Sequence, residues 1–342
     1  MTEHFWLGMA MIFLGGTLNG SFALPMKYSR LWRWENNWLM YCATGVVVLP
    51  WLLSVSFVPR LGEVFRGLPA SAFVAPVVFG FLWGVANVTF GLGIKMVGIA
   101  LTFAVVSGLA CLSGSLVPLL VLNPGNLFRA QGVALLISLP ILLAGLALYG
   151  TAGRRREREQ ANAQDSSSAA AGSFQVGLAV CIFTGIFGSN FNLGFAFSGE
   201  IVRRSLELGA TPLTSTYGVW AVVFTAGFLP PLLYCGYLLF RDSGWRLFLA
   251  AGAAREAALA VAMGLLWFSA MVSYGMGATW VGRYGTSVGF ALFIAVSILA
   301  SNVLGIVAGE WKGTSPPTRR LLAAGLAVVL LSVVVLNLGG LF

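Results

Sequence analysis

Charge is what this chain has least of. Of its 342 residues only 9% are Asp, Glu, Lys or Arg, against 58% hydrophobic, and so few charges cannot cover a soluble domain of this size. Histidine occurs once, as His4, and acidic residues number eleven. Common enzyme signatures are missing too. There is no HExxH, GxSxG, Walker-type phosphate loop or GxGxxG, and the GxG pairs at Gly91 and Gly275 lack the third glycine. The chain is therefore read as no enzyme. The four cysteines, Cys42, Cys111, Cys181 and Cys235, stand inside apolar runs without CxxC or Cys/His spacing, which leaves them as packing residues. No cofactor and no metal are expected. The net charge of +9 is spread singly or in small groups between apolar runs, a topology signal rather than a nucleic-acid surface.

What is present is apolar sequence in membrane-length runs. Segments long enough to cross hydrocarbon, roughly 20 residues each, lie near 4–26, 38–58, 72–94, 97–122, 130–151, 174–199, 213–240, 256–279, 285–308 and 319–341. The expected fold is all-α, with ten transmembrane helices and the lipid bilayer as partner. The first run lacks a basic stretch before it and an Ala-x-Ala site after it, so it reads as a retained helix. One connection is long and hydrophilic, RRREREQANAQDSSSAAAG from Arg154 to Gly172, and is read as a mobile polar linker.

The stretch GFLWGVANVTFGLGIKMVG, Gly80 to Gly98, returns as GLLWFSAMVSYGMGATWVG, Gly264 to Gly282. Trp83 aligns with Trp267 and Phe90 with Tyr274, whereas Asn87 faces Met271 and Lys95 faces Thr279. Residues 1–152 and 174–342 thus form two five-helix repeats separated by the linker 153–173. Five is odd, so the repeats enter the membrane in opposite senses, the inverted architecture of many secondary transporters, with substrate near midplane. Basic residues concentrate after the first, fifth, seventh and ninth helices, including Lys27, Arg30, Arg33, Arg154 to Arg156, Arg158, Arg246 and Lys312. Positive-inside then places 153–173 in the cytoplasm and both termini outside.

Trp83, Asn87, Phe90 and Gly91 recur at helical spacing and share a face. Trp267, Met271 and Tyr274 form its counterpart. Aromatic rings pack on the C–H faces of a sugar and amides bond its hydroxyls. The alternative reading is core packing for the two tryptophans and an interhelical hydrogen bond for Asn87. Polar clusters in the first and sixth helices, with Asn19 in one and Asn190 and Asn192 in the other, must face protein or water. For a coupling ion, the acidic residues all fall in loops or at helix ends; Glu200 and Glu35, with His4, are the candidates, each also readable as an ordinary interfacial group.

Together these stretches resemble the L-rhamnose/proton symporter family of the drug/metabolite transporter superfamily. The likeness is carried by Pro25, Lys27, Trp32, Trp34, Glu35 and Trp38; Leu49, Pro50 and Trp51; Trp83, Gly84, Asn87, Gly91 and Gly98; and Glu310 with Trp311. It runs over most of the chain and is strongest in the first half. The resemblance implies import of L-rhamnose or a related deoxyhexose with protons across the bacterial inner membrane, sodium being the alternative ion. One departure stands out: no carboxylate lies between Arg283 and Glu310, where the family pattern leads one to expect an acid early in the ninth helix. An exporter or exchanger of another small neutral metabolite, or a non-transporting membrane sensor, are the alternatives.

Overall fold

The computed structural model describes residues 5–122, 130–162, 169–281 and 288–338, and the described residues contain helices and turns but no strand. In chain order the α-helices are α1 (Phe5–Ser21), α2 (Trp34–Cys42), α3 (Leu49–Phe57), α4 (Leu61–Arg66), α5 (Ser71–Val97), α6 (Ile99–Leu122), α7 (Ala130–Asn162), α8 (Ala169–Gly188), α9 (Asn190–Ala196), α10 (Gly199–Glu207), α11 (Tyr217–Arg241), α12 (Ala253–Val281), α13 (Val288–Val307) and α14 (Pro316–Leu338). Eight helical stretches are long and apolar enough to cross a membrane, and two shorter apolar helices, Ile99–Ser113 and Leu292–Val307, accompany them. Large apolar side chains such as Leu52, Val55, Phe240 and Val307 are exposed, as expected where the solvent is lipid. This is an all-α membrane protein.

Two boundaries differ from the sequence reading. The second apolar run begins at Trp34 rather than 38, because the polar residues ahead of it have partners: Asn36 Nδ2 donates to Gly244 O at 2.9 Å and Asn37 Nδ2 to Ser29 Oγ at 2.9 Å. The run expected as linker is helical through Asn162. Arg, Glu, Gln and Ala are good helix formers, and this extension is anchored. Arg156 donates to Val97 O at 3.0 Å and lies over the Trp311 ring, and Gln160 donates to Lys312 O at 3.0 Å. Glu159 accepts from Ser315 N, Ser315 Oγ and Thr318 Oγ1 at 2.6–2.7 Å. Of the expected linker, 163–168 lie outside the described residues.

The chain forms two compact units, one of residues 1–21, 89–186 and 270–342, the other of 22–88 and 187–269. Each takes segments from both sides of 153–173, so the units cut across the two sequence repeats; the repeats are a relation in sequence, the units a relation in space.

In the first unit, α1 lies on α13 at glycine distance. A methyl on Gly16 would stand 2.8 Å from Phe293 O, and one on Gly20 2.5 Å from Ser297 O, the close approach that small residues allow in membranes. Gly98, at φ +92°, turns the chain between α5 and α6. The Glu310 carboxylate then caps α6, accepting from Ile99 N at 2.7 Å and Ala100 N at 3.2 Å.

In the second unit, α2 passes through a π-helical stretch, Ala43–Val48, into α3. Pro50, without an N–H, cannot donate to the carbonyl four residues back, and the wider turn accommodates it. Gly45 in that stretch backs directly onto Gly264 of α12. Gly80 and Gly84 of α5 press onto the backbone of Val223 and Gly227 in α11, leaving no room for a Cβ. These contacts fix how α2, α5, α11 and α12 face one another.

Candidate functional site

The glycine contact of α5 with α11 sets Trp83 among aromatic rings of the second unit. Trp83 stacks on Trp267 with centroids 5.8 Å apart and planes at 26°, and tilts against Phe224 at 5.3 Å and Phe191 at 5.7 Å. Trp267 meets Tyr41 edge-on at 6.3 Å. Trp267 and Phe224 are buried, whereas Trp83 is half-buried.

One helical turn after Trp83 on the same face, Asn87 is buried in the same unit. Its Oδ1 accepts from Trp38 Nε1 at 3.1 Å and from Cys42 Sγ at 3.2 Å, and its side chain also bonds the Tyr41 phenol. Trp38 packs against Tyr41 at 4.9 Å, and Tyr41 stacks on Phe22 at 5.2 Å. An amide offers about four hydrogen-bonding positions, so these partners use most of what Asn87 has. Its geometry is that of a residue that orients Trp38 and Tyr41.

The structure therefore brings Trp83, Asn87 and Trp267 together. Asn190, also in this unit, follows the break between α8 and α9 and donates to Phe187 O at 2.7 Å. Asn192 lies in α9, its side chain outside the described set. Asn19 and Tyr274 belong to the first unit. There Asn19 Nδ2 donates to Ser297 Oγ at 3.1 Å, and Tyr274 packs on Phe293 at 4.8 Å. Of the ion-coupling candidates, Glu35 is buried in the first turn of α2, Glu200 is exposed on the short amphipathic α10, and His4 lies outside the described residues. Sequence reasoning missed Trp38, Tyr41, Phe191 and Phe224. Trp38 and Tyr41 carry a legible signal, three residues apart on one helix with Cys42 beside them; the two phenylalanines carry none among the 25 in the chain.

What the cluster offers chemically is flat apolar faces, a phenol and an amide, with no charged side chain among Trp38, Tyr41, Trp83, Asn87, Phe224 and Trp267. Such a lining suits a neutral, partly apolar, hydroxylated solute.

The family model described as L-rhamnose-proton symport protein (RhaT) matches residues 1–341. The chain belongs to this family. Relatives of the same description match end to end. The L-rhamnose-proton symporter of Cronobacter sakazakii is 22% identical over 99% of both chains, that of Mannheimia succiniciproducens 24% over 97% of both, and that of Klebsiella pneumoniae 21% over 99% of both. The family resemblance read from the sequence is thus borne out. RhaT members are multi-pass carriers and not enzymes, in keeping with the apolar helices seen here.

Proposed function

We propose that this chain imports L-rhamnose together with protons, by alternating access, across a bacterial inner membrane. The observation that carries this reading is the RhaT match over residues 1–341. L-rhamnose is an uncharged deoxyhexose with apolar C–H faces and a methyl group beside its hydroxyls. A carrier for it needs aromatic faces and neutral hydrogen-bonding groups and no countercharge, which is the chemistry gathered around Trp83 and Trp267.

In this reading the rings of Trp83 and Trp267 part to receive the sugar, Tyr41 bonds a hydroxyl, and Asn87 holds Tyr41 and Trp38 in place. Asn19, Asn190, Asn192 and Tyr274 remain candidates for sugar contact in another state of the transport cycle. The chain crosses the membrane ten times, as inverted repeats 1–152 and 174–342, with both termini outside and 153–173 in the cytoplasm. The aligned stretches at 80–98 and 264–282 and the distribution of Lys and Arg support that topology.

The test is labelled L-rhamnose counterflow in proteoliposomes, followed by uptake under an imposed pH gradient and, separately, a sodium gradient. Counterflow with pH-driven accumulation is expected. Accumulation under sodium alone would reassign the ion, and no counterflow by protein that binds no rhamnose would reject the sugar.

A further inference from the structure

Two carboxylates are buried among the described residues, Glu35 at 5% exposure and Glu256 at 2%. Glu256 is provided for: it accepts from Ser29 Oγ and from Arg30 N at 3.1 Å and pairs with Arg255 at 2.9 Å. The exposed or half-buried acids are accounted for as well. Glu310 caps α6, Glu159 binds Ser315 and Thr318, and Glu157 stands beside Arg156. Glu63, Glu207 and Asp242 pair with arginines, and Glu200 faces outward. Glu35 differs from all of these. Among the described residues, no ion pair and no hydrogen-bond donor reaches its carboxylate.

An orphaned acceptor lies next to it. Asn36 spends its Nδ2 on Gly244 O at 2.9 Å, which leaves Asn36 Oδ1 buried without a donor. Flipping the amide does not help, because it would set that oxygen against the Gly244 carbonyl. A methyl placed on Gly244 would lie 3.6 Å from both Asn36 Oδ1 and Glu35 Oε1, so the two oxygens face the same spot. Asn36 Oδ1 is a buried acceptor without a donor, and such a group is costly. A carboxyl that takes up a proton becomes a donor, and a proton on Glu35 would offer a hydrogen toward the spot that Asn36 Oδ1 faces.

We propose that Glu35 is the residue that carries the coupled proton; this rests on the rhamnose–proton reading above. The O–H bond formed at Glu35 on the side of higher proton concentration breaks on the other side, with water giving and receiving the proton. Few titratable or charged groups surround it. From α11 the Cys235 thiol lies within electrostatic reach of it, and at the end of that helix Arg241 and Asp242 bind each other. Arg33 donates to Asp242 O, and Arg246 of the Gly244–Leu249 turn lies over Trp245. The stretch Ala43–Val48 brings no titratable group, and Tyr41 and Cys42 of α2 are turned to Asn87. The link to sugar runs along α2. Trp38, one turn beyond Glu35, donates to Asn87, which holds Tyr41 against Trp267. A change of charge at Glu35 thereby bears on the rings that meet the sugar.

The experiment compares the wild-type carrier, Glu35→Gln and Glu35→Asp in proteoliposomes, by rhamnose counterflow and by accumulation under a pH gradient. Counterflow needs no net proton movement. Glu35→Gln is expected to keep it within about threefold of wild type while pH-driven accumulation falls at least tenfold, to equilibration. Accumulation retained by Glu35→Gln overturns the proposal, and so does joint loss of both activities in a variant that still binds rhamnose. Should Glu35→Gln fail to fold, Glu35→Asp decides: a displaced pH profile of accumulation supports the role, and an unchanged one overturns it. Failure of the wild type to accumulate rhamnose at all would instead strike the functional reading.

Discussion

Trp38 Nε1 donates to Asn87 Oδ1 at 3.1 Å, tying the second apolar segment to the middle of α5. Asn87 is the hinge-pin of a small buried network, since Cys42 and Tyr41 bond the same side chain. Asn87→Ala would orphan several buried groups, each costing about 1–3 kcal/mol. The variant is expected to lose both thermal stability and rhamnose counterflow, the latter at least tenfold. Unchanged melting and unchanged kinetics would remove Asn87 from the network's working core.

Trp38→Phe keeps a ring and deletes the donor. Cys42 still reaches Asn87, so the expected loss is about 1 kcal/mol, with a modest rise in the KM for rhamnose. A drop in kcat at unchanged KM would place Trp38 in the conformational step instead.

Trp83 and Trp267 stack, and aromatic pairs of this kind contribute about 0.5–1.5 kcal/mol beyond area burial. Trp83→Phe preserves a face for the sugar and should shift KM by about threefold or less, whereas Trp83→Ala should raise it by ten to a hundredfold. Equal kinetics for the two variants would count against a ring–sugar contact.

Gly84 lies on Gly227 without space for a Cβ. Gly84→Leu forces α5 away from α11 and is expected to abolish folded protein, as judged by monodispersity in detergent. Gly209→Ala, in open space but at φ +96°, should cost only local strain, on the order of 1 kcal/mol.

Asp242 lies at the end of α11, where the Arg241 guanidinium holds its carboxyl below the usual range. A depressed folded-state pKa means its stabilising contribution is complete above the unfolded value and lost as pH falls through the folded one. The pair lies at the surface, where solvent screens it, so Asp242→Asn should leave both the melting temperature and the pH profile of uptake unchanged between pH 6 and pH 8, measured by thermal unfolding and proteoliposome transport. A displaced profile would give Asp242 a share in coupling.

The apolar runs showed the helices, because membrane length and composition are local properties. Trp83 with Trp267 was legible for the same reason, through a repeat readable by eye. What sequence could not show was tertiary partnership. Trp34 to Asn37 looked like loop until Gly244 and Ser29 supplied their hydrogen bonds, and Arg154 to Asn162 looked like linker until Val97, Trp311 and Ser315 supplied anchors. Asn87 stood out in the sequence as a polar residue on the face of Trp83, but its partners, three residues of α2, lie too far off in sequence for periodicity to reveal.

The bond between Asn19 and Ser297 spans 278 residues, and it has a consequence for biogenesis. At translation rates of 5–20 residues per second, α1 leaves the ribosome roughly 15–55 s before the segment it packs against. Throughout that interval the glycine face of α1, Gly8, Gly15, Gly16 and Gly20, is lined by lipid or by the insertion machinery. α1 is thus a waiting guest in the bilayer, and maturation of the first unit is timed by the arrival of α13.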